Sequence, residues 1–381
     1  MCIRDRPYVG LAWSPGSKRD LVLRASVRRY GTGVPLRSGA FGTQGFSAVR
    51  QPISPNRQLT PAVVLRDGFA PPAEELPNLS PDAADNTDAN LVLPSGRQPQ
   101  VTSANVSVEK QLPAGLIVKA DGSFDSGANM LTGYWAAGFN QIHPSALAHR
   151  DQLNDESFRR ELRPYPQFQR LTGNGQFAVG RYRAQSGRLQ VEKRMSEGLS
   201  FDASYRYLKR HDDYSSGLQN FFDRSAEWAT TAGTRPHALS LSYLYELPIG
   251  HGSGFLSQGV LSKVLGGWSV RGFTSWRSGD PIRLRPQFNN TGDVVPFLRV
   301  NTVEGVSAKL DSPSPAQWFN PGAFSHPGDF EMGNAARTYP TLLNPSWQNH
   351  DLALAKRITI SAEQSLELML QSFNFINHAN W

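Results

Sequence analysis

The chain has 381 residues and a formal charge of +7 at pH 7; 19% of its residues are charged and 10% aromatic, with 34 glycines and 27 prolines. This balance suits a turn-rich, strand-rich chain with room for two or three soluble domains or one large β-structure. No run approaches the roughly 18 consecutive apolar residues of a spanning helix, so a helical membrane protein is excluded and a barrel is the one membrane option left. A mean hydropathy of −0.42 does not count against a barrel, because only alternate residues of its strands must be apolar.

The basic balance, with a pI near 9.6, would suit nucleic acid if Lys and Arg were clustered. They are scattered through strands and loops, with no basic helix and no interleaved aromatic signature, so no nucleic-acid partner is expected. Near a membrane rim the same residues would meet anionic lipid phosphates. Cys2 is the only cysteine, which leaves no disulfide framework and no thiolate metal site. It belongs to MCIRDR, residues 1–6, which precede the first alternating run abruptly, look like a cloning or assembly scar and are set aside. No charged segment followed by an apolar stretch marks an export signal, so an exported protein is expected to be a fragment that has lost its start.

In chain order, Tyr8 to Trp13 forms a short strand, SPGSKR a turn, and Leu21, Leu23, Ala25 and Val27 alternate with Arg24, Ser26 and Arg28. From about 31 to 100 the periodicity collapses into loop chemistry over a length uncommon inside compact soluble domains. Ala104, Val106 and Val108, the turn QLPAG, and Leu116, Val118 and Ala120 make a second hairpin, followed by an irregular stretch over about 125–187 with a short helix near His143 to Leu153. The clearest hairpin is RLQVEKRMSEGLSFDASYRY, 188–207. Leu189 and Val191 lead in, MSEG turns, and Leu199, Phe201, Ala203, Tyr205 and Tyr207 lead out. Strict period-two alternation places one residue class on each face of a strand. A loop over about 209–235 precedes Leu239, Leu241, Tyr243 and Tyr245, and a connection with one helical turn leads to Trp268, Val270, Gly272, Thr274 and Trp276. After a fourth long loop, about 278–346, the last hairpin carries Leu352 and Leu354, turns near Thr359 to Gln364, and returns through Leu366, Leu368 and Leu370.

About ten strands in five hairpins result, an all-β antiparallel reading in which short and long connections alternate without exception. A sandwich explains any one hairpin; the parity of the connections is what an up-and-down outer-membrane barrel requires, with short periplasmic turns and long outer loops. Tyr8, Tyr205, Tyr207, Trp276 and Trp347 then fall at outer strand ends and Trp13, Tyr243, Tyr245 and Trp268 at inner ends, where two interfacial girdles belong. Aromatic preference for strands would give part of the same pattern. Arg24, Arg28, Glu109, Lys119, Asp121, Glu192, Arg194, Asp202, Arg206 and Glu246 share the polar face. An Arg or Lys on the opposite face separates membrane from soluble readings, since it costs ~2–4 kcal/mol at a bilayer midplane and almost nothing in water.

Reactive chemistry is sparse. His211-Asp212-Asp213 is the one trio of metal-ligand type, and adjacent residues cannot all converge on one ion without loop closure, so a solvated loop mouth is expected. GHGSG, 250–254, lacks a βαβ context and is a flexible turn. The pairs Asp212/Asp213 and Glu74/Glu75 lack apolar surroundings that would raise a pKa and are expected to be hydrated. No nucleophile constellation, cofactor motif or metal site is found, so no enzyme is expected.

The order and spacing of LTPAVVLRDGF (59–69), NVSVEKQLPAGLIV (105–118), NQIHPSALAHRDQLND (140–155), the 189–213 hairpin, RPHALSLSYLYELPIG (235–250), LGGWSVRGFTSWRSGDPI (265–282), FNPGAF and GNAAR (319–337) resemble the barrel of TonB-dependent receptors of the Oar-like, carboxypeptidase-regulatory-like type. The resemblance implies outer-membrane lipid, a TonB complex acting through an N-terminal plug, and an unidentified extracellular ligand as partners. It covers only part of a barrel of about 22 strands. The chain has no signal peptide, TonB box or plug, and Trp381 follows an outward strand, so a fragment truncated at both ends is expected. On this reading Leu189, Val191, Leu199, Phe201, Ala203, Tyr205, Leu239, Leu241, Tyr243, Val270, Leu352, Leu354, Leu366, Leu368 and Leu370 face lipid, and Phe221, Phe222 and Trp228 offer ligand contacts. An adhesion or structural barrel without active transport, and a soluble β-sandwich binding module, are the alternatives.

Overall fold

In the computed structural model, residues 7–17, 19–31, 59–69, 80, 85–91, 97–132, 140–173, 178–215, 217–250, 255 and 259–380 are described. Ten strands form the wall: β1 (Tyr8–Trp13), β2 (Leu21–Gly31), β3 (Gln100–Leu112), β4 (Leu116–Leu131), β5 (Ala178–Ser196), β6 (Leu199–Asp212), β7 (His237–Glu246), β8 (Trp268–Arg277), β9 (Trp347–Thr359) and β10 (Ser365–Ser372). They pair antiparallel, each with its neighbour in sequence, and Ala229–Thr230 adds a short piece beside the end of β6. β1 and β10 are the edges of this sheet, which is not closed. The all-β, up-and-down architecture expected from alternation and connection parity is the one observed.

Local chemistry explains the turns. Glu197 and Gly198 link β5 to β6 with φ of 51° and 76°. Positive φ at both central residues is the type I′ geometry whose twist matches that of the flanking strands. In the middle of β8, a Cβ on Gly272 would fall 2.3 Å from the Tyr243 ring, so the glycine leaves room for an aromatic from the adjacent strand to lie across it.

Two boundaries differ from the sequence reading. Asp125–Leu131 and Ala178–Gly187 belong to β4 and β5 rather than to the irregular stretch over about 125–187. Pairings such as Phe124↔Gln185 and Gly127↔Tyr182 prolong the ladder although Gly, Ser and Gln replace the apolar alternation. Backbone pairing carries the ladder there, regular to Gly127 and shifted in register at Met130 and Leu131, and it leaves no periodic trace in side chains. The helix near His143 to Leu153 is a 3-10 run, Pro144–Asn154, followed by α1 (Glu156–Glu161), whose first amide side is capped by Asp155 accepting from the Ser157 N–H at 2.8 Å. The connection between β7 and β8 contains α2 (Val260–Leu265).

The wall itself buries few large apolar side chains. The hydrophobic cluster instead lies in the long connections, where Ile142, Ala146 and Leu153 meet Val294, Val295 and Leu298, with Phe158, Leu162 and Phe330 packed around them.

Candidate functional site

Directly opposite residues of an antiparallel ladder point to the same face, so the register sorts every wall residue. One row runs Trp13, Leu23, Val108, Ala120, Leu189, Tyr205, Leu239, Trp276 across eight strands. Parallel rows join Val191, Ala203 and Leu241; Phe201, Tyr243 and Leu352; and Leu199, Tyr245, Val270, Leu354 and Leu370. Leu366 lies opposite Ile358 and Leu368 opposite Lys356 on this same apolar face. Two aromatics placed in the outer girdle by their height alone belong to the other face. Trp347 pairs with Arg277, whose guanidinium sits 4.5 Å from its ring centroid, and Tyr8 pairs with Arg28 and lies over Gly10. Both stand one residue out of phase with the apolar runs beside them.

On the apolar face, Asp, Glu, Lys and Arg occur only near the strand ends. Lys110, Lys193 and Lys356 stand at the short-turn ends of β3, β5 and β9, and each ammonium turns toward the connection there. Lys110 pairs with Asp20 at 2.8 Å, Lys193 donates to the Ala114 carbonyl at 3.1 Å and to Ser196, and Lys356 donates to the Val264 carbonyl at 2.9 Å and to that of Gly266. Arg29, Arg183 and Lys209 stand at the long-loop ends of β2, β5 and β6. Lys193 and Arg183 lie ten residues apart on β5. That is about 33 Å of strand, or about 25 Å of height at a tilt of about 40°.

The polar face carries the row Arg24, Ser107, Asp121, Arg188, Arg206, Ala238, Arg277. Arg24 pairs with Glu109 at 3.1 Å, Lys119 with Asp121 at 3.6 Å, and Gln190 donates to Asp202 at 2.6 Å. Glu192, Arg28 and Glu246 share this parity; Arg194 falls within the register shift next to Ser196 and reaches Glu192 at 4.0 Å. Arg188 and Arg206 stand directly opposite each other, and their guanidinium groups make no hydrogen bond or ion pair among the described residues. A concavity of about 700 Å³ lies over this region, lined by Arg24, Lys119, Asp121, Ser123, Arg188 and Arg206 among others. Its lining mixes Leu11, Ala25 and Val106 with four cations, Arg24, Lys119, Arg188 and Arg206.

At the long-loop end, an ionic node ties the 213–236 connection to the 278–346 connection. Glu227 accepts from the backbone N–H groups of Gln219 and Asn220 at 2.9 and 3.0 Å and pairs with Arg299. Arg337 reaches Asp212 at 2.6 Å and donates to the backbone carbonyls of Asp212 and Glu227. Gln219 bridges both sides, accepting from the Arg299 N–H and donating to the Gly333 carbonyl. Burial pulls the Arg299 guanidinium below its ordinary pKa, while Glu227 pulls it back up. Burial likewise lowers Arg283, with Arg337 and Arg285 adding to the effect.

The expectation that Asp212 and Asp213 are hydrated is therefore corrected. They are 1% and 0% exposed. Asp213 pairs with Arg181 at 3.0 Å and Arg224 at 3.6 Å. The cation at Asp212 comes from a connection far away in sequence, whereas those at Asp213 come from the adjacent strand β5 and from its own connection. His211 does not join them, because period two sends it to the apolar face, where it stacks on Trp228 with centroids 6.2 Å apart. Glu74, Glu75 and residues 251–254 lie outside the described residues.

The three proposed ligand aromatics do not converge on one spot. Phe221 and Phe222 touch edge to face, and Phe222 meets His143 at 4.7 Å. Trp228 instead borders a cleft of about 270 Å³ with Arg181, Tyr182 and Arg183. Glu227, Arg299, Arg337 and Gln219 carry no local signal of their role. The nearest hint in the sequence is the apolar cluster Val294, Val295, Phe297 and Leu298 within the 278–346 connection.

The family described as "outer membrane beta barrel domain" matches residues 6–381. The chain belongs to that family. Its location is accordingly the outer membrane. No curated protein sequence matches it. Among solved structures it is similar to the outer membrane transporter YddB from Escherichia coli, with TM-score 0.47 and 10% identity, covering 96% of this chain and 36% of that one. The ferripyoverdine receptor of the outer membrane of Pseudomonas aeruginosa gives TM-score 0.44 and 10% identity over 98% and 29% of the two chains. The ferric enterobactin receptor PfeA of the same organism, in a point-mutant form, gives 0.36 and 11% over 96% and 36%. The chain thus spans less than two fifths of each of these proteins, and likeness of this degree carries no argument about ligand or mechanism.

Proposed function

We propose that the intact protein is a TonB-dependent receptor of the Oar-like type and that this chain supplies part of its lumen wall and outer connections, residues 7–381. The observation that supports the reading most is the placement of charge on the apolar face: cations bracket a band about 25 Å tall and none stands inside it, which suits a wall in lipid. Leu189, Val191, Leu199, Phe201, Ala203, Tyr205, Leu239, Leu241, Tyr243, Val270, Leu352, Leu354, Leu366, Leu368 and Leu370 then meet acyl chains. The polar face, with its mixed charge, lines the lumen, beside a plug on which TonB acts. The open edges β1 and β10 would be completed by further strands of the same wall.

Transport on this reading makes and breaks no bond. An extracellular ligand meets the outer connections, with Phe221, Phe222 and Trp228 as separate contacts rather than one pocket. The test compares depletion of small molecules from spent medium by cells with the full-length gene, without it, and without TonB. Solutes depleted only when both are present are expected; solutes lost equally without TonB would overturn transport and favour an adhesion or structural barrel.

A further inference from the structure

The connection between β7 and β8 stands apart from the others at its end of the wall. It spans 247–267, whereas the rest cover 14–20, 113–115, 197–198 and 360–364. Its described part is firmly built. The Leu247 N–H donates to the Trp268 carbonyl at 2.9 Å, and the Gly250 N–H to the Phe255 carbonyl at 2.9 Å. Gly250 and Gly266 meet back to back: a Cβ on the first would fall 2.3 Å from the Gly266 Cα, and one on the second 2.6 Å from the Gly250 Cα. Neither position has space for a side chain, so α2 is held against the base of the hairpin.

Lys356 places α2 on the apolar face. It stands opposite Trp268 and Leu368 in register, its ammonium lies 5.5 Å from the Trp268 ring centroid, and it donates to the Val264 and Gly266 carbonyls at the end of the helix. The helix is inverted with respect to one packed on a protein in water. Ser262 is 3% exposed, while Leu261, Val264 and Leu265, one face at spacings of three and four, are 60%, 58% and 43% exposed. Phe255, just before it, is 71% exposed.

We infer that α2 is a membrane foot, with Leu261, Val264, Leu265 and Phe255 seated among phospholipid acyl chains at the short-turn boundary of the bilayer. The inference rests on the proposed reading that the apolar face meets lipid. Acyl chains are the occupant because the exposed aliphatics continue that face directly past Trp268, and because Ser262, not Leu261, Val264 or Leu265, is turned to the wall.

The test places single nitroxide labels on the full-length protein in outer-membrane vesicles, by Leu261→Cys, Val264→Cys and Glu363→Cys, with Leu241→Cys as a control in the middle of the apolar face. Collision rates with oxygen and with a water-soluble nickel chelate are compared. Labels at 261 and 264 are expected to favour oxygen over nickel severalfold relative to 363, approaching the ratio at 241. Nickel access at 261 and 264 equal to that at 363, with 241 still oxygen-rich, overturns the foot alone. Nickel access at 241 as well overturns the lipid-facing reading beneath it. Shielding of 261 and 264 from both reagents points to a protein partner or a second copy and also overturns the foot.

Discussion

The wall and the long connections obey opposite burial rules. Along β5 to β8 the large apolar residues are half-buried or exposed, and the polar ones alternate with them. In the long connections Leu153, Val294 and Val295 are fully buried together with the charges of Glu227 and Asp213. A wall between lipid and water is stabilised by its hydrogen-bonded ladder and needs no interior. Connections standing in water on all sides must make an interior of their own, and here they do so with six apolar residues and a paired ionic node.

The comparison breaks most severely if the node is not local. Replacing the buried partner in Glu227→Ala leaves Arg299 unpaired, a change that costs about 3–5 kcal/mol. Hydrogen exchange should then accelerate at 213–236 and 291–300 while β6 and β7 keep their protection; equal loss in the wall would show that the two regions fold as one. A smaller effect separates the faces. Leu241→Arg in the middle of the apolar face should destabilise the protein in vesicles by ~2–4 kcal/mol and its neighbour Ser240→Arg by almost nothing, as read from urea titrations. Equal costs would remove the lipid side of the comparison. The smallest effect is expected at a bracket: Lys193→Met, at the short-turn end, should change stability by less than about 1 kcal/mol, since its ammonium already reaches the turn. A loss as large as that of Leu241→Arg would mean that the band extends past Lys193.

The same contrast governs what is legible in the sequence. Period two announces the wall because each strand faces two different surroundings, so Leu199 to Tyr207 can be sorted without coordinates. Even the face of Tyr8 and Trp347 is written there, since both stand out of phase with Val9, Leu11 and Trp13 or with Leu352 and Leu354. No such signal exists for the packing of distant segments: Leu153 meets Val294 across more than a hundred residues, and Asp212 gains Arg337 from the far side of two strands. Carboxylates flanked by polar neighbours read as hydrated when the cations that bury them are remote in sequence. The strand extensions at 125–131 and 178–187 are hidden for a related reason, because a ladder prolongs through Gly and Ser without any preference of theirs.

The bracketing cations also impose an elastic constraint. A hydrogen-bonded wall cannot shorten, so in the proposed setting the bilayer must match the span between Lys193 and Arg183. At about 25 Å that span is below the hydrocarbon thickness of an average bilayer, roughly 30 Å, and each ångström of disagreement costs a fraction of a kcal/mol in thinned lipid or tilted strands. Thickness alone would therefore favour residence in a thin membrane, before any ligand or partner is considered.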